Sequence, residues 1–103
     1  MYARVTTVQL SPDQIDTSRR AMPDDMRLAL AREPGFRGSV TLLDRQSGKA
    51  MTIGLWESEA AVQASTAGHQ ARMAAARSAL GMESGPEPVI EVYEVVDEIR
   101  PQS

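Results

Sequence analysis

The chain has 103 residues, no cysteine and a formal net charge of −3, with 42% hydrophobic and 24% charged residues. This is the size and composition of one soluble globular domain, and it excludes a disulfide scaffold and sites built on thiolates. The acidic balance and the lack of a basic patch argue against a nucleic-acid partner. No apolar run reaches the roughly 18 residues of a membrane span, and the first residues lack a signal-peptide pattern, so we expect a cytoplasmic protein.

The chain opens with a predicted strand that leads into a helix. Residues 2–10 are rich in β-branched side chains, which is typical of a strand. Ser11 then has the chemistry of an N-cap, Pro12 suits the first helical position and Gln14 completes a capping box. We therefore expect a helix from Pro12 onward.

This first helix is predicted to continue to about Arg32 with an interruption. Pro23 falls inside the helical pattern, where a proline costs roughly 3 kcal/mol, so we expect a kink or a restart near Asp24 and Asp25. The apolar stripe of this helix comprises Ile15, Met22, Met26, Ala29 and Leu30.

A hairpin follows, with strands on either side of a turn at "RQSGK". Counting by twos gives both strands one apolar face and one mixed face. The apolar face is predicted to be ordinary core and carries Phe36, Gly38, Val40, Leu42, Met51, Ile53 and Leu55. The mixed face is predicted to be uncovered by helices and carries Arg37, Ser39, Thr41, Leu43, Arg45, Thr52, Gly54 and Trp56.

A second helix and a last strand complete the pattern. Ser58 is the predicted N-cap of one long helix that ends near Leu80, and residues 89–96, "VIEVYEVV", form the last strand. The core stripe of the helix comprises Val62, Ser65, His69, Met73, Ala76 and Leu80. The order βαββαβ predicts an α+β, ferredoxin-like fold: a four-stranded antiparallel sheet with two helices on one face.

We expect one domain over residues 1–97 and a C-terminal tail over 98–103. Helices on one face leave the other face of the sheet open. Its apolar residues would form an exposed patch larger in area than soluble monomers usually carry. We therefore predict a homodimer formed through this open face.

The segment "PGFRGSVTLLDRQSGKAMTIGLWESEAAVQAS" resembles the hairpin and following helix of the antibiotic biosynthesis monooxygenase (ABM) family, within the dimeric α/β-barrel superfamily. The P-G-F-x-G opening and the W-E-S helix start carry most of the match, and the element order fits over residues 2–97. The resemblance implies a dimer whose sheets face each other and a cavity between the sheet and the second helix. Members include cofactor-independent oxygenases of aromatic substrates, haem-degrading enzymes, isomerases, decarboxylases and proteins without an assigned reaction.

Trp56, His69 and Arg37 are the candidate catalytic residues. The ring of Trp56 could stack on a flat substrate, or it could be a structural plug at the sheet edge. His69, the only histidine, could lean into the cavity and exchange a proton, or it could be a solvent-facing helix residue. Arg37, and with it Arg45, could stabilise an oxyanion or form ion pairs at the rim.

The candidate substrate-binding residues are the side chains expected to line the cavity, namely Trp56, Thr41, Thr52, Leu43 and Tyr93. The inward face of the first strand stays open between Ala3, Val5 and Thr7 on one side and Arg4, Thr6 and Val8 on the other.

We predict no metal site and no cofactor. One histidine, no cysteine and no paired carboxylate pattern leave too few ligands for zinc or iron. By resemblance, the haem-degrading branch carries an Asn in the first strand and a Trp and a His on the second helix. Thr7, Ser65 and Ala75 stand at or near those positions here, which disfavours that branch.

The resemblance therefore favours a cofactor-independent monooxygenase acting on a flat aromatic or quinol metabolite. A small-ligand-binding or dimeric assembly module of the same fold is the alternative, and a stress-related or isomerase-type barrel is a third. No nucleic acid or membrane partner is expected.

Overall fold

The computed structural model describes residues 1–16, 24–82 and 85–102. Its elements follow the predicted order, and the second predicted helix is divided into two. The elements are β1 (Tyr2–Gln9), α1 (Pro12–Ile15), α2 (Asp24–Ala31), β2 (Phe36–Leu43), β3 (Lys49–Trp56), α3 (Glu59–Ala64), α4 (Thr66–Ala79) and β4 (Val89–Glu94).

The four strands form one sheet in the order β2-β3-β1-β4, and each neighbouring pair is antiparallel. The first and third strands therefore lie at the centre and the other two at the edges. This arrangement confirms the predicted α+β, ferredoxin-like fold. None of the helices in the described residues is long and apolar enough to cross a membrane.

The predicted capping box at Ser11 is present. The Ser11 backbone N–H donates to the side chain of Gln14, and Pro12 occupies the first turn of α1. In the described residues α2 runs from Asp24, with Asp24 and Asp25 in its first turn, and the predicted restart itself depends on residues outside them. Met22 and Pro23, on which the predicted stripe and kink depend, lie outside the described residues.

The second helix differs from the single helix predicted. Ser58 does cap it, accepting a hydrogen bond from the Ala61 backbone N–H at 3.1 Å. At Ser65, however, the helix divides into α3 and α4, and the Ser65 hydroxyl donates to the Val62 carbonyl at 2.8 Å. A serine that bonds the backbone of the preceding turn competes with regular helix geometry, which explains the break.

The assignment of the two hairpin faces was wrong. The mixed face, with Thr41 paired to Thr52, lies under the helices, whereas Val40 and Leu42 on the apolar face are 51% and 49% exposed. Alternation identifies which face of a strand is apolar, but it does not indicate whether a helix or another chain covers that face.

A β-bulge between Phe36 and Gly38 also changes the pattern at the start of β2. It brings Phe36 opposite Trp56 and leaves Arg37 as the extra residue. Counting by twos therefore holds from Gly38 to Leu43 and fails for Phe36 and Arg37.

One small hydrophobic cluster closes the end of the domain near the β2–β3 turn. It consists of Leu10, Ala50 and Met82, with Val8, Ile15, Leu43 and Leu80 packed around it. Trp56, which is 2% exposed, is buried near the other end of β3. The space between these two apolar anchors is not filled by side chains.

Candidate functional site

A cavity of about 570 Å³ lies between the sheet and helices α2 and α4. This volume is in the range of small-molecule sites. The sheet contributes Arg4, Thr6, Ser39, Thr41, Thr52 and Trp56. The helices contribute Leu30, His69, Arg72, Met73, Ala76 and Leu80. The even-numbered residues of β1 therefore point inward, which resolves the choice that the sequence left open.

Small side chains on the sheet keep the cavity open. Thr41 and Thr52 are cross-strand partners whose hydroxyl oxygens lie 3.1 Å apart, and Gly54 is the next inward position of β3. A Cβ atom at Gly54 would lie 3.4 Å from the indole nitrogen of Trp56, in ordinary contact, so the atoms of a longer side chain would have to enter the space beside the ring. Glycine at this position leaves space beside the indole.

Trp56 forms one wall of the cavity. Its ring meets that of Phe36 edge to face, with centroids 5.2 Å apart and planes at 65°. The guanidinium of Arg4 lies over the indole, 5.8 Å from its centroid, in a cation–π contact. Trp56 is thus packed as a structural residue and also exposes part of its surface to the cavity.

Two buried arginines stand at the polar end of the cavity. Arg4 is 5% exposed and donates to the carbonyl of Val62 at 2.7 Å. Arg72 is 6% exposed and pairs with Glu33, with 3.4 Å between Nη1 and Oε1. Sequence reasoning missed Arg72, although it lies one helical turn after His69 and this spacing could have indicated it.

His69 lies between these arginines and β1. Its Nε2 atom is 3.3 Å from the hydroxyl oxygen of Thr6. Burial, and then the positive charges of Arg4 and Arg72, lower the pKa of His69 to about 4. The imidazole is therefore neutral at neutral pH, with one ring nitrogen that donates a hydrogen bond and one that accepts.

Arg4 and His69 also border a second hollow of about 420 Å³. It lies toward β4 and is lined on the strand side by Ile90 and Val92. The arginine and the histidine thus separate two spaces, and a ligand in either space would meet them.

The structure does not bring Arg37 or Tyr93 to the cavity. Arg37 is exposed at the bulge and forms a surface ion pair with Glu57 at 3.1 Å. Tyr93 is on the opposite sheet face, where its hydroxyl donates to Glu91 at 2.7 Å. This hydrogen bond raises the pKa of Tyr93.

Of the other candidates, Leu43 packs against the small hydrophobic cluster and is not among the described residues that line the cavity. Arg45 pairs with Asp16 at the surface. Trp56, Thr41, Thr52 and His69 do line one cavity, together with Arg4 and Thr6.

In residues 1–16, 24–82 and 85–102 no group of three or more His, Cys, Asp or Glu side chains could hold a metal ion. Thr7, Ser65 and Ala75, the positions compared with the haem-degrading branch, are not among the described residues that line the cavity. Thr7 points to the open face of the sheet, opposite Met51 and Val89.

The fold and the cavity together define a ferredoxin-like domain with a ligand-sized space between its sheet and its helices. The chain belongs to the antibiotic biosynthesis monooxygenase family, whose model matches residues 1–77. This confirms the family that the hairpin and helix start indicated.

Relatives in sequence and solved structures of the same fold both agree with this assignment. An uncharacterised protein of Mycobacterium tuberculosis strain H37Rv is 38% identical over 65 residues, which are 63% of this chain and 29% of that protein. The chain thus spans less than a third of the length of the curated relatives it matches.

Solved structures share the fold at lower identity. The Streptomyces coelicolor monooxygenase from the gene ActVA-Orf6, in complex with nanaomycin D, has a TM-score of 0.74 and 19% identity over 98% of this chain and 92% of that one. The Mycobacterium tuberculosis haem degrader MhuD, with two haems bound, has a TM-score of 0.69 and 19% identity over 97% and 100%. These similarities concern the fold.

Proposed function

We propose that this protein is a cofactor-independent monooxygenase that acts on a flat aromatic or quinol metabolite. The observation that carries the proposal is the cavity itself, which is apolar along Leu30, Met73 and Ala76 and polar at the neutral His69. Monooxygenases among the structural relatives, including one in complex with nanaomycin D, support the same class of reaction.

In the reaction we propose, the substrate itself is the reductant. It loses a proton, reacts with O2, keeps one oxygen atom and releases the other as water. In this proposal neutral His69 accepts the substrate proton, and the anion formed beside it raises the low pKa of the imidazole as the proton moves. The Thr6 hydroxyl, 3.3 Å from Nε2, would orient the ring. Arg4 and the Trp56 ring would stabilise and orient the resulting anion.

We also propose that the protein is a cytoplasmic homodimer formed through the open sheet face. This face exposes Val40 and Leu42 on edge strand β2, and Val89 and Tyr93 on the opposite edge strand β4, by about half each. A two-fold contact between sheets would cover them.

Trp56 is the only tryptophan, so its fluorescence reports on one wall of the cavity. We would titrate the protein with flat aromatics, quinols and haem, and then measure oxygen uptake with each compound that quenches saturably. Uptake of one O2 per substrate supports the monooxygenase. Binding without uptake indicates the ligand-binding module instead, and no binding by any compound refutes a cavity function.

A further inference from the structure

The polar end of the cavity carries more positive than negative charge. Arg4 and Arg72 are both more than nine-tenths buried and both line the cavity. In the part of the chain that the structure describes, Glu33 is the carboxylate that pairs with Arg72, and no carboxylate forms an ion pair with Arg4. Two buried cations therefore share one anion.

The neighbouring groups do not supply the missing negative charge. Thr6 is uncharged, and His69 is neutral at physiological pH because burial, and then the charges of the two guanidinium groups, lower its pKa. Arg4 donates one hydrogen bond to a backbone carbonyl and lies over an aromatic ring, whereas a guanidinium has five N–H donors. A buried cation with donors left over is stabilised by an anion that enters the site.

The rest of the cavity suits the body of an aromatic molecule. The Trp56 ring and the apolar side chains of Met73 and Ala76 lie along the cavity beyond the arginines. A flat ring placed there would bring a substituent to Arg4 and Arg72, where charge-assisted hydrogen bonds are strongest.

We infer that the ligand of this cavity is an aromatic acid, whose carboxylate or ionised phenol oxygen is bound by Arg4 and Arg72. This inference rests on the proposed function and names the class of substrate for the same site. Glu33 occupies Arg72 when the site is empty, so the ligand's anion competes with Glu33 for that arginine.

The first test uses two ligands that differ only in charge, anthraquinone-2-carboxylate and anthraquinone-2-carboxamide, titrated against Trp56 fluorescence with inner-filter controls. We expect the acid to bind at least about tenfold more tightly at pH 7.5, as a charge-assisted contact predicts. Equal affinities would overturn the anion inference and leave the proposed cavity function standing. Failure of both compounds to bind would overturn both.

The second test assigns the charge effect to residues. Arg72→Gln should weaken binding of the acid about tenfold and change the affinity for the amide less than twofold, because the amide gains nothing from the positive charge. Glu33→Gln should have the opposite effect and strengthen binding of the acid several-fold, since it removes the competing carboxylate. Arg37→Gln, a surface arginine outside the cavity, is the matched control and should change neither.

A purely structural role of Arg72 predicts a different result. In that case Arg72→Gln weakens acid and amide by the same factor, and Glu33→Gln does not tighten the acid. Circular dichroism melting of each variant identifies one that has failed to fold, and for such a variant the Glu33→Gln comparison decides. An unchanged or weaker acid affinity in Glu33→Gln overturns the inference.

Discussion

Lowering the pH should destabilise this protein through His69. The folded-state pKa is about 4, against an ordinary value of 6.5 in the unfolded chain. The unfolded state therefore binds the proton first, so stability is complete above pH 6.5 and is lost as the pH falls from 6.5 toward 4. Between pH 7.5 and pH 5 these two values give a loss of at most about 2 kcal/mol, and the loss levels off below pH 4.

Urea unfolding at pH 7.5 and pH 5, followed by Trp56 fluorescence, measures this loss. His69→Gln is the control, because it keeps every carboxylate and removes only the imidazole. We expect the variant to lose less stability than the wild type between the two pH values, by up to about 2 kcal/mol. His69 is the only histidine, so its imidazole resonances also titrate without overlap in an NMR experiment. A titration midpoint near 6.5, or equal losses in both proteins, would refute the reasoning.

Three further predictions concern packing and assembly. Trp56→Ala should cost about 3–5 kcal/mol of unfolding free energy, since the ring is 2% exposed; a cost under about 1 kcal/mol by urea unfolding with circular dichroism would contradict this. Gly68→Ala should give none of the roughly 1 kcal/mol that alanine adds to a helix, because its Cβ would lie 2.7 Å from the Glu33 carboxylate; the full gain would show that the Glu33–Arg72 pair is undisturbed. Leu42→Glu should convert a dimer at micromolar concentration to a monomer by light scattering, and a monomeric wild type would refute the dimer.

The element order was predictable because strong local signals mark it. Ser11 and Ser58 cap helices as expected, and alternation in β2 and β3 sorts the residues from Gly38 onward correctly into two faces. The predicted inward stripe of the second helix is also confirmed from His69 onward. His69 and the stripe residues that follow it, each one helical turn further along, line the cavity. These features depend on neighbours within a few residues, which a sequence displays directly.

The candidate site was only partly predictable because it depends on which face the helices cover. Alternation in β1 gave two equal choices, and the even-numbered choice with Arg4 and Thr6 is the inward one. The bulge at Arg37 moved that residue to the surface, and a bulge has no reliable signature beyond the nearby glycine. Arg72 was missed because an arginine on a helix is usually solvent-exposed, whereas here Glu33 holds it inside.

The balance between apolar core and buried charge bears on what the cavity is for. Few large hydrophobic side chains are buried in the described residues, and yet Arg4 and Arg72 are, at 5% and 6% exposed. A buried ion pair is weak evidence for stability, because apolar residues of similar volume often stabilise a fold at least as well. A small domain that needed only stability would be better served by closing this space with Leu or Met. Since the small residues at Thr52 and Gly54 keep it open and the arginines keep it charged, binding of an anionic ligand accounts for both features together.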